Sequence, residues 1–246
     1  MLAWPPDPEA WSLRWYKNMI GDCSADVVSS TVPCSNKWMV GTLNSFFIGI
    51  VATVIATSLG TLAALGLSRP HMPFKGIIMA ILISPMIVPL IITAAGMFFF
   101  YARINLVYTF TGVILAHVAL ATPFVVITVT ATLVGFDMNM VKAAQSLGAR
   151  PVKTFFRVIM PLILPGIISG ALFAFITSFD EVVIVMFMAS LDQLTIPKQM
   201  WAGIRQEISP VILCMATCLV ALSIFLLTTV ELLRRRSERL RGIKPR

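Results

Sequence analysis

One polar stretch decides the fold of this chain: Lys142-Ala143-Ala144-Gln145-Ser146-Leu147-Gly148, followed twelve residues later by Met160-Pro161. It lies in a basic interruption between long apolar segments, which indicates a membrane protein that holds a short helix outside the lipid. Two adjacent alanines let the surface of another protein approach closely, and the glycine permits a sharp bend. The stretch therefore predicts a short exposed helix that a soluble partner protein contacts.

The local signals on either side of Gly148 predict two helices. We expect one from Met138 to Leu147, about three turns long, and Gly148 is expected to end it in a left-handed conformation. Pro151 should begin the second helix, because proline is favoured at the first helical position. An amphipathic helix that rests on the lipid surface would show a similar pattern, and this alternative stays open.

Composition places the chain in a membrane. Hydrophobic residues make up 58% of it, charged residues 12%, and the mean hydropathy is +0.89. Soluble globular proteins carry about 25% charged residues. A helix that crosses a bilayer needs about 20 mainly apolar residues, and five stretches qualify, at roughly 42–68, 76–100, 105–134, 162–189 and 211–233.

These stretches are continuous apolar runs, which favour helices over the alternating pattern of barrel strands. The sequence therefore predicts an all-α polytopic membrane protein with five transmembrane helices. Asn44 and Ser45 are expected to cap the first of them. Pro85 and Pro89, four residues apart, predict a kink or an opened turn in the second.

The distribution of Lys and Arg predicts the orientation. When successive loops are assigned alternately to two sides, thirteen basic residues fall on one side and six on the other. The richer side is expected to be cytoplasmic. Residues 1–41 are then an extracytoplasmic segment, residues 42–233 a transmembrane domain with a cytoplasmic loop at 137–161, and residues 234–246 a basic cytoplasmic tail that contacts lipid headgroups. This pattern accounts for the net charge of +8 without a nucleic-acid partner.

The polar stretch resembles the cytoplasmic coupling loop of permease subunits in binding-protein-dependent ABC importers, whose consensus is Glu-Ala-Ala-x3-Gly-x9-Ile-x-Leu-Pro. The spacing holds, with Val158 and Met160 at the Ile and Leu positions, but Lys142 replaces the usual Glu. The resemblance implies the type I importer fold in the bacterial inner membrane. It also implies a set of residues that couple to an ATPase: Lys142, Ala143, Ala144, Ser146, Leu147, Gly148 and Pro161.

The same resemblance implies the partners. A second homologous permease should enclose the path with this chain, an ATPase dimer should receive the coupling helices, and an extracytoplasmic solute-binding protein should deliver cargo. The chain has no phosphate-binding loop of the Gly-x4-Gly-Lys-Ser/Thr type. We therefore expect a non-catalytic subunit without a cofactor of its own, with ATP and Mg bound by the partner ATPase.

Other segments look like the polyamine branch of these permeases: Ser12–Tyr16, Leu115–His117, the Ser-Phe-Asp-Glu-Val-Val run that starts at Ser178, and Leu194–Met200. This likeness implies a polyamine or similar small organic cation as cargo. Relatives that import opines, other amino-acid derivatives or phosphonates share these features, so those cargoes stay open. Related permeases usually have one more helix before this point, and we expect that a first helix is missing from this sequence.

Asp180 and Glu181 are costly inside an apolar segment. They are candidates for the substrate path together with Phe179 and His117, although capping and packing roles are equally consistent. Of the two carboxylates, Asp180 is favoured as the structural or gating member. A less favoured reading makes the carboxylates and His117 an ion relay in a stand-alone secondary transporter or channel.

Small residues recur every fourth position before these carboxylates, at Gly166, Gly170, Ala174 and Ser178. Such a stripe serves close helix packing, either within this chain or against a second permease. With two His in the chain and no Cys near either, no metal site is expected. Cys23 and Cys34 could pair in an oxidising compartment, whereas Cys214 and Cys218 are expected to serve packing.

Overall fold

The computed structural model describes residues 14–21, 36–69, 72–134, 139–206 and 209–240. These contain helices and no strand, which confirms the all-α prediction. The helices are α1 (Arg14–Met19), α2 (Lys37–Leu67), α3 (Lys75–Ile87), α4 (Leu90–Arg103), α5 (Phe110–Val134), α6 (Asn139–Ser146), α7 (Pro151–Thr154), α8 (Met160–Phe179), α9 (Val183–Met188), α10 (Ile196–Gln206) and α11 (Pro210–Leu240). A π-helical segment, Phe155–Ile159, joins α7 to α8.

Among the described residues, three helical segments are long and apolar enough to cross a membrane: α2, α5 and the continuous run Pro151–Phe179. The α3–α4 pair makes a fourth if it counts as one span, and α11 has a shorter apolar part, Pro210–Phe225. The prediction of five spans therefore stays a prediction, while its first, third and fifth stretches each correspond to one helix.

The second predicted span is two helices, not one. Helix α3 ends at Ile87, α4 begins at Leu90, and the two axes differ in direction by 104°. Val88, just before Pro89, is extended (φ −70°, ψ 134°), as expected because a proline disfavours the helical conformation of the residue before it. The predicted kink is confirmed, and it is a complete break.

A serine hydroxyl pairs the carbonyl that Pro85 leaves free inside α3. Pro85 has no N–H to donate to the carbonyl of Ile81, one turn earlier, and Ser84 Oγ donates to that carbonyl at 2.8 Å instead. In lipid an unpaired carbonyl is costly, so this bond helps keep the first half of the pair helical up to its end.

The prediction that Asn44 and Ser45 cap the first span was wrong. Helix α2 begins seven residues before Asn44, at Lys37, so both residues lie inside it. Their side chains hold a distant segment instead. Asn44 Nδ2 donates to the carbonyl oxygens of Asp192 (2.8 Å) and Leu194 (3.0 Å), and Ser45 Oγ accepts the N–H of Ile196 (2.9 Å).

The predicted C-terminal end of the fourth span, 162–189, was wrong. Helix α8 ends at Phe179, Asp180 is its C-terminal cap residue, and the residues up to 188 form the separate short helix α9. The apolar run alone gave no sign of this break. It occurs where two carboxylates interrupt the run, and one of them caps the helix that follows.

Residues Leu43–Pro197 form one compact unit around α5, which packs mainly against α8. All four members of the small-residue stripe of α8 are buried. A Cβ atom added at Gly170 would lie 2.5 Å from Thr128 Oγ1 of α5, and one at Gly166 would overlap Thr132 Oγ1. Of the two alternatives for the stripe, packing within the chain is therefore the correct one for these positions.

The second unit contains α1, the first residues of α2, most of α10, and α11. Within it α1 packs against α11, and Tyr16 Oη lies 3.0 Å from Thr217 Oγ1. Cys214 is buried beside this contact, Cys218 is half-buried, and both thiols are free, in keeping with a packing role. Cys23 and Cys34 lie outside the described residues, so their pairing stays a prediction.

Candidate functional site: an exposed loop and the opposite end of the bundle

The predicted exposed helix is present as α6, and it has a well-defined C-terminal end. Just after the C-terminal end of α6, the N–H of Gly148 donates to the carbonyl of Gln145 (2.9 Å). The N–H of Ala149 donates to the carbonyl of Ala144 (3.0 Å). Gly148 has a φ of +78°, and this pattern is the Schellman motif. The predicted left-handed conformation of Gly148 is therefore confirmed, and it fixes the direction in which the chain leaves α6.

The surface of α6 is almost wholly exposed, and none of its residues is buried. Lys142, Ala143 and Ser146 are exposed, Ala144 is half-buried, and Leu147, the residue after the helix, is 88% exposed. Together with Met140 (48% exposed), Ala143 and Leu147 form an apolar ridge at a spacing of three and four residues. No described part of the chain covers this ridge.

The second half of the loop leads directly into α8. Pro151 begins α7 after an extended Arg150, as predicted. The π-helical segment follows, and in it the N–H of Met160 donates to the carbonyl of Phe155, five residues back. Pro161 comes next, has no N–H, and would crowd the carbonyl four residues before it, which accounts for a wider turn at this point. The loop is therefore joined to α8 by helical backbone without a flexible linker.

At the opposite end of α8, a polar pair ties this helix to α5. His117 is 1% exposed, and its Nδ1 lies 2.7 Å from Ser178 Oγ. Its other ring nitrogen, Nε2, is buried and has no hydrogen-bond partner. The structure thus places His117 inside the α5–α8 contact, away from any open surface of the chain.

The two carboxylates at this end have different environments. Glu181 is 7% exposed, and its Oε1 accepts the N–H of Ile184 at 2.9 Å, so that it caps α9. Asp180 is exposed. The sequence analysis favoured Asp180 as the structural or gating member of the pair; its gating role stays a prediction, whereas the structural role belongs to Glu181. Glu181 has that role because its longer side chain reaches the first turn of the next helix.

Phe179, the last residue of α8, belongs to an aromatic cluster. Its ring centroid lies 5.2 Å from that of Phe46 and 5.4 Å from that of Phe175. The exposed carboxylate of Asp180 directly follows this cluster along the chain. An anionic group beside aromatic rings is an environment that favours organic cations.

The candidate residues therefore fall into two groups at opposite ends of the α5–α8 pair. Most coupling candidates lie on the loop that joins the two helices, and Pro161 is the second residue of α8; those on the loop are Lys142, Ala143, Ala144, Ser146, Leu147 and Gly148. His117, Phe179, Asp180 and Glu181 lie near the other ends of the same helices. Among the described residues no group of three or more His, Cys, Asp or Glu could hold a metal ion.

Sequence reasoning missed Asn44 and Ser45 as residues that hold the segment 192–196. It also missed three threonines on α2, Thr53, Thr57 and Thr61, whose buried hydroxyls have no partner. Their spacing of four residues was visible in the sequence, but in an apolar helix it did not stand out from ordinary packing.

Known proteins resemble this chain over most of its length. The spermidine/putrescine transport system permease protein PotC of Haemophilus influenzae is 30% identical over 237 residues, which cover 96% of this chain and 86% of that protein. The putrescine transport system permease protein PotI of Escherichia coli is 30% identical over 215 residues, which cover 84% of this chain and 72% of that protein.

A solved structure shares the fold. A chain of the MetNI methionine ABC transporter, solved in inward-facing conformations, superposes with a TM-score of 0.58 at 19% identity, covering 84% of this chain and 96% of that chain. Residues 42–239 match the family described as the binding-protein-dependent transport system inner membrane component. The exposed capped loop, the α5–α8 pair that carries it and this match together identify the chain as a member of that family, a multi-pass permease subunit of an ABC importer.

Proposed function

We propose that this chain forms half of the translocation path of an ATP-driven polyamine importer and receives force from an ATPase subunit at α6. The observation that carries the coupling role is the exposed ridge of Met140, Ala143 and Leu147 on a helix with a fixed end. The cargo assignment is supported by the two relatives whose names specify spermidine or putrescine.

The partners follow from this role. A second permease would complete the path, two ATPase subunits would bind ATP and Mg, and a solute-binding protein would deliver cargo from outside. The excess of basic residues on one side of the membrane supports a cytoplasmic position for α6 and for the C-terminal tail. In this arrangement residues 1–41 lie outside the cytoplasm.

The α5–α8 pair would carry the motion. Glycines of α8 lie against threonines of α5, so the two helices cannot slide past each other without steric clashes. Displacement of α6 would therefore move the pair as one body and shift its far end, where Phe179 and Asp180 lie. The permease is then a two-state element that both the ATPase and the binding protein bias.

Ala143→Glu should uncouple ATP hydrolysis from transport. A glutamate here adds charge and bulk to the apolar ridge, and burying an unpaired charge in an interface is strongly unfavourable. We expect transport to fall at least tenfold, while the purified complex keeps the thermal stability of the wild type, because Ala143 is exposed. The measurement is cargo-stimulated ATPase activity together with uptake into proteoliposomes.

Gln145→Glu is the matched control for this variant. It introduces the same charge on the same helix, about 200° around the axis from position 143. Uptake close to wild type is expected. Equal losses for both variants would mean that α6 responds to charge in general and would contradict a specific docking ridge.

Polyamine specificity should depend on Asp180 more than on Glu181. In lipid nanodiscs with the binding protein, ATPase activity is measured across putrescine, spermidine, an opine and neutral amino acids. We expect stimulation by the polyamines, and for Asp180→Asn a KM for uptake raised several-fold with a smaller change in kcat. Glu181→Gln keeps an Oε1 acceptor for the N–H of Ile184, so its uptake should stay near wild type.

Stimulation by an opine or a neutral amino acid alone would keep the importer and reject the polyamine cargo. Uptake that continues without any ATP hydrolysis would reject the importer itself.

A further inference from the structure

Three hydroxyl groups on one face of α2 are buried without hydrogen bonds. The Oγ1 atoms of Thr53, Thr57 and Thr61 have almost no accessible surface and no partner. Their spacing of four residues places them in a row along the helix. Folded proteins leave few buried polar groups unpaired, so three in one row require an explanation.

Four other threonines have paired hydroxyls, whereas those of Thr93, Thr130 and Thr195 are buried and unpaired like the α2 row. Thr42, Thr122, Thr128 and Thr132 each donate to the carbonyl four residues earlier, at 2.6–2.9 Å. A helical threonine can always reach that carbonyl by choice of its side-chain rotamer. The hydroxyls of the α2 row are turned away from their own helix, into the contact with its neighbours.

That contact is tight. Gly60, on the same face of α2, faces α5 so closely that an added Cβ atom would lie 2.7 Å from Val125 Cβ. Gly49, further along this face, lies against α8, where an added Cβ atom would be 3.2 Å from the ring of Phe175. The unpaired Nε2 of His117 belongs to the same group of three helices.

The first hydroxyl of the row lies at a depth similar to that of the unpaired His117 nitrogen. Gly60 faces Val125, and His117 precedes Val125 by eight residues on α5, while Thr53 precedes Gly60 by seven on α2. If the two helices run side by side in the same direction at equal rise per residue, His117 and Thr53 lie within about 2 Å of the same level. Thr53 therefore lies at the level of His117, and the row continues from there along α2 for about 12 Å to Thr61.

We propose that the α2 face formed by Thr53, Thr57 and Thr61 separates from α5 and α8 in another state of the transport cycle and there lines a water-filled cavity for a polar solute. The inference rests on the proposed function, since it requires an alternating conformation. In the open state water and cargo would satisfy the hydroxyls, and in the packed state they are left unpaired. The small residues Gly49 and Gly60 let the face close completely.

Thiol labelling of the assembled complex tests this assignment. The four native cysteines are replaced by alanine, and Thr57→Cys is treated with a charged methanethiosulfonate reagent, both without nucleotide and with the ATPase trapped in its ATP-bound form. We expect labelling to be at least tenfold faster in one state than in the other. Ser58→Cys is the matched control, because Ser58 is the next residue but is exposed on the outer surface of the chain, where its Oγ bonds to the carbonyl of Val54.

An isosteric substitution provides a second, independent measurement. Thr57→Val keeps the shape of the side chain and removes the unpaired hydroxyl, so it should favour the packed state and slow the labelling of a Thr61→Cys reporter several-fold. Thr122→Val removes a hydroxyl that is already bonded within its helix and should leave the reporter rate unchanged. Equal effects of the two substitutions would contradict a role for the α2 row.

Failure of this inference can be told apart from failure of the proposed function. A complex that hydrolyses ATP and takes up cargo, yet whose Thr57→Cys stays unlabelled in both states, overturns only the lining assignment. So does state-dependent labelling at Ser58→Cys but not at Thr57→Cys, which would place the path on the opposite face of α2. A complex without any ATP hydrolysis overturns the proposed function as well.

Discussion

Gly148→Pro is expected to reduce uptake more than any other single change in the exposed loop, to below a tenth of wild type. Gly148 has a φ of +78°, whereas the proline ring fixes φ near −65°. Proline would also remove the N–H that donates to the carbonyl of Gln145. Both changes break the end of α6 and redirect the chain toward α7, so the apolar ridge would no longer face its partner.

A series at position 148 separates backbone strain from lost contacts. An added Cβ atom would meet nothing within 4 Å, so any loss in Gly148→Ala comes from the left-handed conformation and not from a clash. The cost of that conformation is about 1–2 kcal/mol. Asparagine tolerates it better than alanine, so uptake should follow the order Gly, Asn, Ala, Pro. Equal losses for Asn and Pro would show that the backbone at this position does not matter.

Gly170→Ala is expected to cause a large loss of folding stability, because it disturbs the contact between α5 and α8. Its new Cβ atom would lie 2.5 Å from Thr128 Oγ1 and 3.0 Å from the Cα atom of Val125, which is backbone and cannot rotate away. Helices α5 and α8 would have to move apart along their whole contact. Overpacking of this kind costs about 1–3 kcal/mol, which should appear as a lower midpoint temperature of the detergent-solubilised complex.

Two comparisons test the reason for that loss. Gly66→Ala in α2 places its Cβ atom where nothing lies within 4 Å, so its midpoint should match or exceed that of the wild type. Adding Thr128→Ala to Gly170→Ala should restore part of the midpoint, because the side-chain clash disappears while the approach to the Val125 backbone remains. A Gly170→Ala complex as stable as wild type would contradict the tight α5–α8 packing.

The exposed loop could be predicted from the sequence because its structure depends on neighbours in the chain. A glycine that ends α6 and a proline that begins α7 act within a few residues, and the spacing of the coupling motif carries the rest. The break around Pro89 was visible for the same reason, because proline predicted it. The break after Phe179 was not predicted, because the two carboxylates were placed inside one continuous span.

The roles of Asn44, Ser45 and Glu181 could not be predicted in the same way. Asn44 binds carbonyls that are about 150 residues further along the chain, and a local reading offers only a capping role for it. Glu181 and Asp180 are adjacent and chemically similar, so their assignment depended on which side chain reaches the N–H of Ile184. The unpaired state of the threonine hydroxyls likewise depends on packing between helices.

The sharp break between α3 and α4 determines how many times the chain changes sides. Arg69 precedes this pair and Lys75 is its first residue, and the basic loop that contains α6 follows α5. The two loops can share one face of the membrane only if an even number of crossings separates them. If the two loops share one face, as the distribution of Lys and Arg predicts, and α5 crosses once, the two short helices together make one more crossing despite their angle of 104°. A pair that turned back on itself would put α6 and the first basic loop on opposite faces. The side of the membrane on which each later segment lies therefore depends on the backbone geometry around a single proline.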